Sequence, residues 1–107
     1  ADMGAILSIA SRLNISMIED SAQSQGATQN GASCGSFGAA AATSFYPGKN
    51  LGACGEGGGI TTNNEKYNAH LQSLRNHGSI IRYYHDEVGF SMRMGGLEAA
   101  SLKIKLK

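Results

Sequence analysis

The chemistry open to this chain starts from a lysine at the edge of a glycine-rich stretch. Lys49 follows Pro47-Gly48 directly, and further glycines between Gly52 and Gly59 come after it. A lysine amine can bond an aldehyde as a Schiff base, and a carboxylate can keep a ring nitrogen protonated. Pyridoxal phosphate (PLP) chemistry needs that pair of groups. Asp20 is the first carboxylate to consider, because it closes a short apolar segment upstream.

Asp20 and Lys49 can act together only if the elements that carry them are neighbours. The segment ISMIED, residues 15–20, is short and rich in β-branched residues, which predicts a buried strand ending at Asp20. AAAATSFY, residues 39–46, is a second predicted strand, and Lys49 lies just past it. GGGITT, residues 57–62, is a third. Residues 21–39 hold almost no large apolar side chain, so we expect a long loop there.

Three further segments have the apolar spacing of amphipathic helices. They are residues 2–13, which Asn14 can end, a segment from Asn63 or Asn64 to Gly78, and a segment that begins near Gly95 or Gly96. The residues expected to share one side of each helix are Met3, Ile6, Leu7, Ala10 and Leu13 in the first, Tyr67, Leu71 and Leu74 in the second, and Leu97, Ala100 and Ile104 in the third.

This order of helix, strand, loop, strand, turn, strand and helix predicts an α/β fold. In such sheets, ligands gather at the carboxyl ends of the strands. If the first two strands are parallel neighbours, Asp20 and Lys49 can point into one crevice, where Ser44 can offer a hydroxyl to a phosphate. An Asp and a Lys at strand ends also occur in α/β proteins that have no such chemistry. The spacing alone therefore leaves both interpretations open.

Other sites that these residue types can form do not fit the spacing. A phosphate-binding loop needs a glycine where Thr43 stands and a Ser or Thr where Asn50 stands. The dinucleotide-binding pattern needs a glycine where Ile60 stands. Cys34, Cys54 and the three histidines are far apart along the chain, so we expect no metal site.

The composition argues against several classes of partner. Nine Lys and Arg against eight Asp and Glu give a net charge of +1, which favours neither nucleic acid nor an anionic membrane. No apolar run approaches the roughly 20 residues that span a bilayer, and the N-terminus has no signal-peptide character. Two cysteines do not make a disulfide scaffold, so we expect free thiols in the reducing cytoplasm. Because the helical patterns reach both ends, we expect an internal piece of a longer protein.

Four motifs occur in an order that is typical of one protein family. They are IEDSAQSQGA (18–27), TSFYPGKNLGACGEGGGITTNNE (43–65), LRNHGS (74–79) and YYHDEVGFSMRMGGLEAASLKIKL (83–106). With these motifs the chain resembles, over essentially its whole length, the DegT/DnrJ/EryC1/StrS sugar aminotransferases, which are fold-type I PLP enzymes. The resemblance implies three αβα layers with a mostly parallel sheet. It also implies that residues 1–107 are part of the large PLP-binding domain, without the upstream segment and the C-terminal small domain.

The resemblance also assigns roles to individual residues. Lys49 matches the lysine that holds PLP as an aldimine, and Asp20 matches the acid that pairs with the pyridinium nitrogen. Gln23 matches the side chain beside the 3-oxygen of the ring, and Ser44 matches the serine that binds the cofactor phosphate. Ser91 stands where the family usually has an asparagine that reaches the cofactor phosphate in the other subunit of a homodimer. A serine is a shorter donor.

The function that the resemblance implies is the transfer of an amino group from glutamate to a nucleotide-linked keto-sugar. Lys49 argues against the dehydratase branch of the family, in which a histidine replaces this lysine. A regulator or sensor of the same fold, an inactive fragment, and a phosphate-binding module without PLP are the alternatives. The sequence does not identify the sugar or its ring position. Residues without an assigned role are His77, Tyr83, Tyr84, His85 and Arg93.

Overall fold

The computed structural model of the chain describes every residue from Ala1 to Lys107. It contains a three-stranded sheet, a small two-stranded sheet and three helices. In chain order the elements are α1 (Met3–Arg12), β1 (Ile18–Asp20), β2 (Thr28–Gln29), β3 (Ala32–Ser33), β4 (Ala40–Ser44), β5 (Gly58–Thr61), α2 (Glu65–Leu74) and α3 (Gly96–Lys105).

The central sheet has the strand order β1-β4-β5. β1 runs parallel to β4, with Asp20 opposite Ala42, and β5 runs antiparallel to β4, with Gly58 opposite Ser44. The predicted α/β class is thereby confirmed, and the two strands that precede the candidate site meet the condition of being parallel neighbours. Of the two pairings, one is parallel and one antiparallel. The antiparallel pairing arises because the connection formed by residues 45–57 reverses the direction of the chain and returns it alongside β4.

The segment expected to be a long loop, residues 21–39, contains a hairpin instead. β2 and β3 pair antiparallel across a two-residue turn at Asn30 and Gly31. Both turn residues have a positive φ, 52° and 80°, which is the conformation that favours Asn-Gly in tight hairpin turns. The Asn-Gly dipeptide that favours a hairpin turn was present in the sequence, but the flanking residues are small and polar and have no alternating apolar pattern.

The predicted buried strand at residues 15–20 is wrong in two respects. Only its last three residues are extended in the sheet, and Ile18 is 73% exposed. The buried residue of β1 is the charged one, Glu19, at 8% exposure. Its carboxylate accepts hydrogen bonds from the backbone N–H groups of Gly35, Phe37 and Gly38, at 2.7, 2.6 and 2.8 Å. A carboxylate with three such donors tolerates burial, so β1 faces the loop after β3 with a polar residue.

The predicted helix starts agree with the structure, and two of the three starts have a side-chain cap, whereas α2 ends at Leu74, before the predicted stop at Gly78. Asp2 caps α1 by accepting a hydrogen bond from the N–H of Ala5, and Asn14, at a φ of 53°, lies just past its end. The Asn64 side chain accepts from two N–H groups at the start of α2. α3 begins at Gly96, as predicted, and has no side-chain cap.

Few side chains are buried, and the core is built from small residues. Nine of the 107 residues are buried, and the buried apolar ones are Ala41, Ala53 and Leu102. Leu97 and Ile104, which were expected to share the apolar side of α3, are 82% and 73% exposed. The residue of α3 that packs inward is Leu102. Much of the apolar surface of the chain is therefore uncovered in this structure.

None of the three helices has the length and apolar composition that a membrane crossing requires.

Candidate active site

The candidate site lies at the carboxyl ends of the parallel strands β1 and β4. Asp20 is the last residue of β1 and pairs with Ala42, and Ser44, two positions further, is the last residue of β4. Lys49 follows in the turn after β4. The structure thus brings Asp20, Gln23, Ser44 and Lys49 to one edge of the sheet, which is where an α/β sheet binds ligands.

The turn after β1 carries Asp20 and Gln23. One Asp20 carboxylate oxygen, Oδ1, accepts a hydrogen bond from the N–H of Ala22 at 3.0 Å and starts the turn. Ser21 holds the start of this turn to β4, because its N–H and its hydroxyl both donate to the carbonyl of Ala42, at 2.8 and 3.0 Å. The exposed Gln23 side chain and the second Asp20 oxygen, Oδ2, are left without partners within the chain.

The turn after β4 carries Ser44 and Lys49. The Ser44 oxygen accepts a hydrogen bond from the N–H of Tyr46 at 3.2 Å, and the N–H of Lys49 donates to the carbonyl of Tyr46 at 2.9 Å. Lys49 is half-buried. Its amine makes no ion pair, since the one ion pair of the chain joins His70 and Glu87. The Lys49 amine is therefore available for chemistry.

The glycines after Lys49 allow the backbone to fold close upon itself. A Cβ atom at Gly52 would collide with the carbonyl of Pro47, so only glycine closes this turn. A Cβ at Gly59 would lie 3.2 Å from the ring of Phe45. Phe45 is in turn held by two backbone hydrogen bonds, from its own N–H to Gly57 and from the N–H of Ala53 to its carbonyl, both 2.8 Å. The glycine-rich stretch thus packs against the end of β4.

Helix α3 holds the glycine-rich turn from the other side. The Lys105 amine donates to the carbonyl of Gly52 at 2.6 Å, and the N–H of Cys54 donates to the Ser101 hydroxyl at 3.2 Å. Leu102, between these two residues on α3, is 4% exposed, as is Ala53 in the turn. The last helix of the chain therefore supports the turn that follows Lys49, a contact that the sequence did not predict.

Gln25 is a second residue that sequence reasoning missed. Its side-chain Nε2 lies 2.7 Å from the carbonyl of Ser44, 2.9 Å from the Thr43 hydroxyl and 3.2 Å from the carbonyl of Ala22. Its own carbonyl accepts from the Asn50 amide at 3.5 Å. Nothing in a single sequence distinguishes Gln25 from Gln23, because these contacts join residues far apart along the chain.

Ser91 lies in another part of the structure. It forms an isolated antiparallel bridge with Asn76, just past the end of α2, and no hydrogen bond joins it to the four residues at the strand ends. The flanking residues Phe90 and Met92 bond through their N–H groups to the carbonyls of Leu74 and Arg75, at 2.7 and 3.0 Å. Within one chain, Ser91 therefore belongs to the surface around the end of α2.

The residues without a predicted role also cluster around this end of α2. His77 has a positive φ of 63°, and its carbonyl lies 2.8 Å from Nδ1 of His85. Arg93 lines a cavity of about 420 Å³ together with Arg75 and Gln72. Tyr83 stacks under the guanidinium of Arg82, and Tyr84 is exposed. None of these residues hydrogen-bonds to the site at the strand ends.

The groups at the strand ends suit PLP better than a metal ion. No cluster of three or more His, Cys, Asp or Glu side chains occurs in the chain. Asp20 Oδ2 is a free acceptor for a protonated ring nitrogen, the Ser44 hydroxyl proton is free for a phosphate oxygen, and the Lys49 amine is free for an aldehyde. These donors and acceptors are the set that PLP needs. Cys34 and Cys54 are free thiols and line none of this site.

Comparison with known sequences identifies relatives over the whole chain. The profile of the DegT/DnrJ/EryC1/StrS aminotransferase family matches residues 1–107. A pleiotropic regulatory protein from Geobacillus stearothermophilus is 46% identical over 105 residues, which are 98% of this chain and 28% of that protein. The dTDP-3-amino-3,4,6-trideoxy-alpha-D-glucose transaminase of Streptomyces venezuelae is 42% identical over 106 residues, covering 99% of this chain and 28% of the relative.

Solved structures also match the fold of the chain over nearly its whole length. DesV from S. venezuelae, in complex with a ketimine intermediate, superposes with a TM-score of 0.94 at 42% identity, over 99% of this chain and 29% of DesV. NtdA from Bacillus subtilis, with bound cofactor PMP, superposes with a TM-score of 0.85 at 32% identity, over 95% of this chain and 23% of NtdA. The chain thus spans less than a third of the length of these relatives.

Proposed function

The chain belongs to the DegT/DnrJ/EryC1/StrS aminotransferase family, and on that basis we propose that it carries the cofactor site of a PLP-dependent sugar aminotransferase. The protein transfers an amino group from glutamate to a nucleotide-linked keto-sugar, giving 2-oxoglutarate and an amino-sugar. The observation that carries the proposal is the position of Asp20 and Ser44 at the ends of adjacent parallel strands, with Lys49 in the next turn. Relatives that are named sugar transaminases support the substrate class.

The proposed residues hold the cofactor through complementary groups. Asp20 Oδ2 accepts the proton of the ring nitrogen, and the Ser44 hydroxyl donates to a phosphate oxygen. Gln23 lies beside the ring oxygen with its side-chain amide. Lys49 Nζ would anchor the cofactor covalently through its aldehyde, with loss of water. The free donors and acceptors described above support each assignment.

PLP, when bound, withdraws electrons from the α-carbon of the amino acid and thereby makes the α-proton acidic. Lys49 Nζ would accept that α-proton once the amino acid has taken its place at the cofactor. The same nitrogen would return a proton in the second part of the transfer, and the two proton transfers would run in reverse order with the keto-sugar. The close packing of the glycine-rich turn against β4 keeps the Lys49 backbone in one place during both transfers.

The rest of the protein completes the site in this proposal. Residues 1–107 are part of the large PLP-binding domain, and Ser91 contacts the cofactor phosphate of a partner subunit in a homodimer. The exposed apolar segment from Ile80 to Leu97, which contains Ser91, supports such an interface. The two free thiols support a reducing compartment, so we propose the cytoplasm as the location.

A second candidate is a regulator of the same fold, which binds PLP without transferring an amino group. It deserves a test because the relative with 46% identity is named a pleiotropic regulatory protein. The regulator and the enzyme share the cofactor site, so they differ only in turnover.

The test uses the complete polypeptide that the gene encodes, incubated with PLP and reduced with borohydride. We expect a visible absorption band that reduction abolishes, with the pyridoxyl group on the peptide that contains Lys49. Lys49→Ala loses the band and the label and lowers turnover by on the order of 10³-fold, because the proton-transfer group is gone. The exposed Lys66→Ala variant is the matched control and keeps all three.

Turnover decides between the two candidates. Release of 2-oxoglutarate from glutamate in the presence of a nucleotide-linked keto-sugar supports the enzyme, and labelling of Lys49 without such release supports the regulator. A label that persists in Lys49→Ala contradicts the assignment of the cofactor lysine. Absence of any PLP binding contradicts the proposed function as a whole.

A further inference from the structure

Gln25 contacts the other two segments of the candidate cofactor site, the end of β4 through its side chain and the Lys49 turn through its backbone carbonyl. The turn after β1 carries Asp20 and Gln23, the end of β4 carries Ser44, and the next turn carries Lys49. Gln25 lies in the first of these segments. Its side-chain Nε2 donates to the carbonyl of Ser44 in the second at 2.7 Å, and its backbone carbonyl accepts from Asn50 Nδ2 in the third at 3.5 Å.

No hydrogen bond between two backbone groups connects the Gln25 turn to Ser44 or to Asn50. Regular pairing between β1 and β4 ends at Asp20 and Ala42, and one more backbone hydrogen bond follows, from the N–H of Ser21 to Ala42. Beyond that point no backbone hydrogen bond joins the segment after β1 to the segment after β4, and side chains make the contacts between them. The Thr43 hydroxyl donates to the carbonyl of Ser21 at 3.3 Å and accepts from Gln25 Nε2 at 2.9 Å, so it links both ends of the turn after β1 to β4.

The chemistry of the amide explains why a glutamine stands there. All three atoms around Nε2 are oxygens, and each can accept a hydrogen bond from an N–H group. The other end of the amide, Oε1, is buried without a partner in the chain. A reversed amide would direct Oε1 at three oxygens, so the contacts fix one orientation. A buried polar atom without a partner costs free energy, which indicates that the Nε2 contacts outweigh that cost.

We propose that Gln25 is a positioning residue for the cofactor site. Its side-chain amide holds the Asp20–Gln23 turn at a set distance from Ser44 at the end of β4, without touching the cofactor itself. The inference rests on the proposed function, because it concerns the same site. Its consequence is that loss of the Gln25 amide loosens the turn after β1 relative to the end of β4 and thereby weakens PLP binding.

The experiment compares Gln25→Met, which keeps the length of the side chain and removes the amide, with Gln72→Met. Gln72 is an exposed glutamine on α2 whose amide reaches only Asn68, at 3.3 Å, so it is the matched control. Backbone hydrogen exchange of the PLP-free protein is measured first. We expect faster exchange at residues 22–25 and 44–46 in Gln25→Met, and wild-type exchange in Gln72→Met.

PLP binding is measured next, by titration and by the pH midpoint of the visible band. We expect Gln25→Met to bind PLP about tenfold more weakly, which corresponds to the loss of one to two net hydrogen bonds, and to shift the midpoint. Gln25→Glu should show at least the same loss, because its carboxylate faces the carbonyls of Ala22 and Ser44. A purely structural role would lower thermal stability but leave the pH midpoint unchanged.

Thr43→Val decides the matter if Gln25→Met does not fold. Valine suits a strand and removes only the link between Gln25 and Ser21, so we expect about threefold weaker PLP binding with the fold retained. Wild-type exchange and wild-type PLP binding in the folded variants contradict the inference alone. Absence of PLP binding in the wild-type protein contradicts the proposed function and with it this inference.

Discussion

At the scale of single residues, the Glu19 carboxylate is the most heavily bonded acceptor in the chain. Oε1 accepts from Phe37 and Gly38, and Oε2 accepts from Gly35, all at 2.6 to 2.8 Å. The three donors belong to the loop between β3 and β4, so Glu19 connects that loop to the strand that ends in Asp20. Glu19 holds the loop, while the next residue, Asp20, has its side chain on the opposite face of the strand and belongs to the candidate site.

We expect Glu19→Gln to destabilise the protein by about 1–3 kcal/mol, because the glutamine NH₂ group would face a backbone N–H that has no other acceptor. Urea unfolding of the PLP-free protein measures the change. The control is Glu56→Gln, since Glu56 is exposed and makes no hydrogen bond with its side chain. Equal unfolding midpoints for the two variants would show that the three bonds to Glu19 contribute nothing.

At the scale of elements, the turn after the candidate lysine is held by a helix, α3, that begins only at Gly96. The contact between Lys105 and the carbonyl of Gly52 spans 53 positions, and that between Ser101 and the N–H of Cys54 spans 47. Because these bonds act on the turn just past Lys49, α3 is part of the support of the site although it carries no candidate site residue.

Removal of the Lys105 amine tests this support. In Lys105→Met we expect a loss of about 1 kcal/mol in unfolding free energy, since a charge-assisted hydrogen bond is lost from a partly exposed position. Lys103→Met, on the exposed side of the same helix, should leave both the unfolding free energy and backbone exchange at residues 50–55 unchanged. An identical response of the two variants would argue that α3 does not hold the turn.

At the scale of the whole molecule, exposed apolar side chains outnumber buried ones. The residues between α2 and the first turn of α3 are the clearest case, with Val88 at 88% exposure, Tyr83 at 79% and Leu97 at 82%. A surface of this kind is typical of a protein interface. Since Ser91 lies within the same segment, its proposed contact with a partner subunit and the need to cover these side chains point to one surface.

Val88→Asp tests whether this segment lies in a homodimer interface. We expect the variant to shift the protein from dimer to monomer in sedimentation analysis and to weaken PLP binding, because burial of an unpaired charge is costly and the phosphate loses its contact with Ser91. Ser8→Asp, at an exposed position on α1, is the control and should stay dimeric. A wild-type protein that sediments as a monomer, or a dimeric Val88→Asp variant, would contradict this assignment.

Features that depend on neighbours along the chain were determined by the sequence alone. Asp2, Asn14 and Asn64 set the ends of α1 and the start of α2 because capping acts within about three residues. The α/β class followed from the order of the elements. The residue types suited to PLP, Asp20 and Lys49, were recognisable from their motifs, and their roles stay predictions.

Only the tertiary structure decided which residues support those motifs. The buried Glu19, the link from Gln25 to Ser44, and the contact between Lys105 and Gly52 join positions 16 to 53 residues apart. No periodicity or propensity carries that information, because the free energy of such contacts depends on how elements pack and not on what stands next to them in the chain. The sequence determined the chemistry available to this protein, and packing decided what holds that chemistry in place.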